Sequence, residues 1–170
     1  TDSNTKQYLS MMNDRVDKLD FFIKDIIDYS KNTRTEIKPE RVNVAKLVEE
    51  VQESFQFLEG ADKIKFENEI KVQEAFTDKS RLTVILNNLI SNAIKYHYHD
   101  QTDPWIKVTT NNGNHTLGLV VSDNGPGINV ERQTKIFDMF YRGTERSKGT
   151  GLGLYIVKET VAKMNGSIRV

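Results

Sequence analysis

The sequence predicts an α+β protein: a two-layer α/β sandwich in which helices cover one face of a mixed sheet, preceded by a long bundle or coiled-coil helix. Three observations carry this. A heptad seam runs along the first part of the chain, and the apolar segments after it switch between a helical period and a period of two. The strand-like segments are grouped with helices and joined by a hairpin, not set out in regular βαβ order.

The elements follow in order. From about Thr5 to Lys31, residues Leu9, Met12, Val16, Leu19, Ile23 and Ile26 are spaced 3, 4, 3, 4, 3, the a/d seam of a heptad repeat. Tyr8, Phe22 and Tyr29 share one flanking position and widen the stripe, which suits a helix in a bundle of four. A core helix of the same domain is the competing explanation, but the polar run 32–40, which contains Pro39, favours a separate element and a linker. The expected division is therefore a helix over 1–31, a linker over 32–40 and a domain over 41–170.

Within that domain, Val42 to Val44 reads as a short strand, and Ala45 to Glu59 as a helix with Leu47, Val48, Val51, Phe55 and Leu58 inward. Gly60-Ala-Asp62 stops it. Lys63 to Ile70 alternates polar with apolar, as a half-buried strand does. Thr77 or Asp78 can cap the next helix, whose buried side carries Leu82, Ile85, Leu86, Leu89, Ile90 and Ala93. Trp105 to Asn112 and His115 to Ser122 form a hairpin through Asn-Gly-Asn. A polar loop follows, least core-like over 138–150, then a helix from about Gly151 to Asn165 and a last strand from Ser167 to Val170.

Composition narrows the function classes. The 170 residues suffice for one well-buried domain plus an appendage. Twenty-four basic residues balance twenty-four acidic ones, so net charge argues for neither nucleic acid nor an anionic membrane. With no cysteine, disulfides, thiolate catalysis and cysteine zinc sites are excluded. No apolar run approaches the roughly 18 residues of a membrane span. The start, Thr-Asp-Ser-Asn, has neither an initiator Met nor a leader and reads as a piece of something longer. A cytoplasmic location is expected, with room for a membrane anchor elsewhere in the parent.

Three stretches carry the chemistry. Asn88, Asn92 and Lys95 stand at i, i+4 and i+7 and share a helical face roughly opposite the leucine stripe. An amide oxygen is a hard neutral ligand, suited to a magnesium ion that keeps waters and phosphate oxygens; a solvated polar face is the plainer alternative. Asp123 ends an apolar strand and runs into Asn124-Gly125-Pro126-Gly127-Ile128. Alone, this is a hairpin turn. In an apolar pocket, however, an ionised Asp123 needs a donor, which the exocyclic amine of adenine can supply, while Gly125 and Gly127 would let a flat base approach. Gly149, Gly151 and Gly153 open a helix whose free amides form an anion site. They match neither common nucleotide fingerprint, and a flexible loop would read the same. Arg142, Arg146 and Lys148 lie in that loop and could neutralise phosphate charge, though exposed basic side chains usually do nothing specific.

Together these residues resemble the catalytic ATP-binding domain of bacterial sensor histidine kinases, which share an ATPase superfamily with gyrase, Hsp90 and MutL. The asparagine box matches Asn88 to Tyr96, the first glycine box Asp123 to Gly127, the phenylalanine box Phe137 to Arg142 and the second glycine box Gly149 to Leu154. The resemblance implies a Bergerat-type fold, ATP and Mg2+ as cofactors, and histidine kinase activity in a two-component system. By it, Asp123 takes the adenine amine with Gly125, Gly127 and Ile128 beside it, and Asn92 takes the metal. Asn88, Lys95 and Tyr96 surround the phosphates. Phe137, Arg142, Lys148, Gly149, Thr150, Gly151, Leu152, Gly153 and Leu154 belong to the lid and phosphate region, with Asn88, Lys95 and Arg142 nearest the transfer.

The resemblance further implies that residues 1–31 are the second helix of a dimerisation and phosphotransfer hairpin, with a homodimer through that helix and a response-regulator receiver domain as partner. Superfamily members that hydrolyse ATP carry a glutamate one turn before the metal asparagine; here it is Asn88, which cannot act as a base. That suits a histidine acceptor and disfavours an ATP hydrolase. The acceptor itself is expected before residue 1, because His99-Asp100 lies after the asparagine box and is followed by Gln-Thr-Asp-Pro. His97, His99 and His115 are expected as ordinary surface residues, and the strand pairing beyond Val170 as missing.

Overall fold

A computed structural model describes residues 3–58, 60–97, 101–113, 116–143 and 149–170. Along the chain come α1 (Ser3–Arg34), β1 (Glu40–Asn43), α2 (Val44–Ser54), a 3-10 turn at Ala61–Lys63, β2 (Lys65–Ile70) and β3 (Glu74–Thr77). Then follow α3 (Lys79–Tyr96), β4 (Trp105–Gly113), β5 (Thr116–Asp123), α4 (Val130–Gln133) and α5 (Gly153–Lys163). No helix among the described residues is long and apolar enough to cross a membrane.

The α+β layering is as the sequence predicts: β2, β4 and β5 form a mixed sheet with β4 in the centre. β4 and β5 are an antiparallel hairpin, whereas β2 and β4 are parallel. Parallel neighbours need a long crossover, and the chain supplies one through β3 and α3. β1 and β3 pair antiparallel in a separate two-stranded ribbon, with Val42 opposite Ala75. β3 and α4 are additions to the expected elements. The strand expected at Ser167–Val170 is a correction: those residues hold no regular structure, since a strand exists only through its ladder and no described strand pairs with them.

Local chemistry sets the helix ends. Asn43 Oδ1 accepts from Lys46 N–H at 2.8 Å and caps α2; of the two candidates for α3, Asp78 is the cap, accepting from Arg81 N–H at 3.0 Å. α2 ends at Ser54, earlier than the apolar spacing suggests, but the turn after it still lays Phe55 and Leu58 against the core. That core joins Val44, Leu47, Val48 and Val51 of α2 to Leu82, Leu86, Ile90 and Ile94 of α3 and to Ile106 and Val108 of β4. Because Leu86 is fully buried, Leu86→Ala would cost about 2–5 kcal/mol.

On the outer face of the sheet, Glu69 lies 2.8 Å from Lys107 and 3.0 Å from Lys71. Hydrogen bonding to Lys107, then to Lys71, lowers the Glu69 carboxyl from 4.5 to about 2. Lys107→Ala is expected to return it part of the way toward 4.5, read by side-chain carboxyl NMR titration. An unchanged titration would show that the ladder does not exist in solution.

The end of α1 is bound to the domain by a buried joint. Arg81, 5% exposed, donates to Asn32 Oδ1 at 3.1 Å, to Thr35 O at 2.8 Å and to Glu36 O at 3.2 Å, and pairs with Asp78. Lys163 at the end of α5 donates to Asn32 O, to Thr33 O at 2.9 Å and to Thr35 O at 2.8 Å. The last carbonyls of a helix have no partner within it, and here two cations from α3 and α5 supply the donors. The polar run after α1 is therefore anchored at its start.

Candidate functional site

The amide face of α3 meets the glycine-rich segment at a cavity of about 170 Å³. Asn88, Asn92, Lys95 and Tyr96 line one side; Gly149, Thr150, Gly151, Gly153 and Leu154 line another. Asn88 Nδ2 donates back to Val84 O at 2.9 Å, and its Oδ1 faces the start of α5. A Cβ on Gly153 would stand 2.8 Å from that oxygen, so only glycine admits so close an approach of the two helices. Two sequence stretches well separated along the domain thus share one wall.

Gly151 has φ +77, and a Cβ there would meet the Phe140 carbonyl carbon at 2.7 Å. Phe140 itself has φ +63, a costly conformation for a bulky residue. Its N–H donates to Gly151 O at 3.0 Å and its ring stacks on Phe22 at 6.4 Å, so neighbours on both sides hold it. Gly151→Ala is expected to speed hydrogen exchange of the Phe140 amide by at least about tenfold, because a left-handed alanine costs about 1–2 kcal/mol before the backbone clash is counted. Unaltered exchange would mean that the clash is absent.

Other expected residues stand elsewhere. Asp123, Gly125, Gly127, Ile128, Phe137, Arg142 and Leu152 do not line the cavity, and Lys148 lies outside the described residues, as do Arg146, His99 and His115. Leu152 is buried and serves the core, and Arg142 is exposed. Asp123 is exposed rather than enclosed in an apolar pocket; its Oδ1 accepts from Gly125 N–H at 2.8 Å. The turn is nevertheless adjacent to the cavity, since a Cβ on Gly125 would lie 3.4 Å from Tyr96 O, and Tyr96 lines the wall. His97 caps α3, with Nδ1 against Ile94 O and its ring over Gly60.

Reading the sequence missed what α1 contributes. Asp25 and Asp28 line the same cavity, and Thr150 Oγ1 donates to Asp25 while accepting from Leu152 N–H at 3.1 Å. Phe22 and Tyr29 make contacts with the domain that the sequence did not indicate: Phe22 stacks on Phe140, and Tyr29 meets Tyr155 at 5.8 Å. A hydrogen bond donated to Tyr29, and then burial, raise the Tyr155 phenol above its ordinary value. Phe22, Asp25 and Tyr29 are spaced 3 and 4 apart and lie on one face of α1. That spacing was the available signal, masked by the heptad it resembles. Phe55, Leu58, Ile136 and Tyr141 also line it; the sequence marked Phe55 and Leu58 as core positions and Tyr141 as part of the phenylalanine box, but none of the four as lining.

The asparagine pair and the glycine cradle fit a phosphate-bound divalent ion, which needs hard oxygen donors and room for phosphate where a Cβ would intrude. No group of three or more His, Cys, Asp or Glu side chains able to hold a metal by themselves occurs among the described residues.

Fold and site together define a nucleotide-binding α+β domain, and comparison places it. The family of histidine kinase-, DNA gyrase B- and HSP90-like ATPases matches residues 77–170, and the chain belongs to it. The sensor protein kinase WalK of Staphylococcus saprophyticus is 31% identical over 95% of this chain, which spans 27% of that protein. Among solved structures, the mycobacterial sensor histidine kinase MprB is 27% identical over 78% of this chain and 84% of its own, with a TM-score of 0.66. Histidine kinase ThkA, solved in complex with the response regulator protein TrrA, is 25% identical over 98% of this chain and 46% of its own, with a TM-score of 0.71.

Proposed function

We propose that the chain is the kinase core of a sensor histidine kinase, binding Mg-ATP and delivering its γ-phosphoryl group to a histidine on another helix. The observation that carries this is the shared wall: the Asn88 and Asn92 face and the Gly149–Gly153 segment enclose one cavity, with Gly153 against Asn88. Asn92, with Asn88 beside it, would hold magnesium, which supplies charge neutralisation on the phosphates when bound.

The chain's own residues do the rest by positioning and charge. Lys95 reaches the phosphates from the same helix face. Thr150 and the free amides at the start of α5 face them from the lid side. Asp123 accepts the adenine amine at the end of β5, on the far side of Tyr96. Arg142 and Lys148 belong to the lid. Asn88, an amide, cannot take a proton from water, and its nitrogen is committed to Val84 O. The position one turn before Asn92 thereby offers water no base, while a neutral imidazole needs little activation.

Residues 1–31 are the second helix of the dimerisation and phosphotransfer hairpin in this reading. Its support is the seam Leu9, Met12, Val16, Leu19, Ile23 and Ile26, each exposed in the single chain, as positions that a partner helix covers would be. The phosphoryl group then passes to an aspartate of a response-regulator receiver domain, consistent with the partner of ThkA in its complex, and the kinase core works in the cytoplasm.

The test supplies a helix bearing the histidine and follows acid-labile phosphate on it. Label that depends on ATP and magnesium and is lost in Asp123→Asn is the expected result. Steady phosphate release without label would overturn the kinase reading in favour of hydrolysis.

A further inference from the structure

Asn124, between the carboxylate and the glycine of the Asp123 turn, occupies a joint of its own. Its Oδ1 accepts from Trp105 N–H at 2.8 Å and its Nδ2 donates to Asp103 O at 3.1 Å. Its backbone carbonyl accepts from Gln101 Nε2 at 2.7 Å. All three partners lie in 101–105, the segment that leads into β4, where Asp103 adopts φ +52. Asn124 is half-buried, whereas Asp123 beside it is exposed. The turn is therefore anchored through its middle residue and not through its carboxylate. The bond from Gly125 N–H to Asp123 Oδ1 lies inside the turn and moves with it.

We propose that Asn124 is a positioning residue for base recognition: by locking the turn to residues 101–105, it aims the Asp123 carboxylate and so sets the preference for a purine bearing an exocyclic amine. The proposal rests on the assignment of Asp123 to the base. Asparagine suits the post because the joint needs a donor and an acceptor on one short side chain; aspartate lacks the donor and alanine lacks both. A hydrogen bond to a base tolerates only a few tenths of an ångström of displacement, so a turn free to shift would lose the amine first and leave phosphate contacts intact.

The experiment compares calorimetric affinities for Mg-ATP and for the magnesium complex of purine riboside triphosphate, which lacks the amine. It uses the full chain and the variants Asn124→Ala, Asn124→Asp, Gln101→Ala and Asp123→Asn. The chain is expected to prefer ATP. Asn124→Ala is expected to lose roughly tenfold in ATP affinity, equivalent to about 1.4 kcal/mol, with the amine-free nucleotide changed less than about twofold, so the preference falls. Asn124→Asp, which keeps the acceptor for Trp105 N–H, falls between. A merely structural role would weaken both nucleotides alike, and that result, or an intact preference, overturns the proposal. Should Asn124→Ala fail to fold, Gln101→Ala decides: it leaves the Asp123 turn's own residues in place, and its preference must fall. If Asp123→Asn loses the preference while the Asn124 and Gln101 variants keep it, only the positioning role is lost. If Asp123→Asn keeps it, the base assignment fails and the positioning role with it.

Discussion

Asn92→Ala is expected to remove magnesium-dependent nucleotide binding, lowering Mg-ATP affinity by at least about 100-fold. Removing an outer-shell partner of a metal already costs 10–100-fold, and here the change removes a proposed direct ligand. The neighbouring groups on the same face of α3 are poor substitutes. Asn88 lies one turn away with its nitrogen held by Val84 O, and its oxygen is pressed against the start of α5. Lys95, on the same face, is a cation and cannot ligate one. The decisive control is chelation. In EDTA the full chain and the variant should bind ATP with closely similar affinities, because the base and lid contacts survive in both. Titration calorimetry with a non-hydrolysable analogue, with and without magnesium, reads all four values. Equal magnesium dependence in the two proteins would take the metal away from Asn92.

That prediction came from a pattern legible in the sequence, and the reason is geometric. Residues at i, i+4 and i+7 share a face of any α-helix, so Asn88, Asn92 and Lys95 could be placed together without knowing the fold. The leucine stripe of α3 and the β4–β5 hairpin were legible for the same reason, since each is dictated by local period or turn chemistry. β3 was not: Glu74-Ala75-Phe76-Thr77 has no strong alternation, and it is a strand only because β1 comes to lie beside it. The expected strand at Ser167–Val170 is the converse case, strand-like residues with no partner among the described ones.

The site shows the same limit. Asp25 lies 125 residues from Thr150, the hydroxyl it accepts from, and no local period reports a contact of that range. Exposure of Asp123 could not be read either, because a carboxylate at a strand end reads alike whether a turn projects it into solvent or a pocket closes over it. Phe22 and Tyr29 were visible, but their contacts with Phe140 and Tyr155 were not. A long amphipathic helix with two apolar faces offers no sequence rule for which face meets its own domain, and here the 22, 25 and 29 face does so.

Arg81→Met is expected to destabilise the protein by about 3–5 kcal/mol at neutral pH, the cost of leaving one member of a buried ion pair uncompensated. Arg81 and Asp78 are each about nine-tenths or more buried, so solvent screens the pair little. The substitution also takes the donor from Asn32 Oδ1, Thr35 O and Glu36 O, while the bonds from Lys163 remain. Burial pushes the Asp78 carboxyl up, but the N–H groups of Lys38 and Arg81 and the Arg81 guanidinium outweigh it and hold the group below its ordinary 3.8. The lowered value fixes the pH dependence. A carboxyl depressed in the folded state contributes stability above its unfolded value and loses it as pH falls through the folded one. Without the guanidinium the folded value rises, since the N–H groups of Lys38 and Arg81 are left to oppose burial, and the variant carries the penalty of a less well compensated buried anion. Protonation removes that penalty, so the stability difference between the two proteins should be largest near pH 7 and narrow as the pH falls toward 3.8. Urea unfolding at both ends of that range measures it. A difference that stays constant with pH, or one below about 1 kcal/mol, the range of exposed pairs, would show that the joint is a surface contact and that α1 is not fixed to the domain through Arg81.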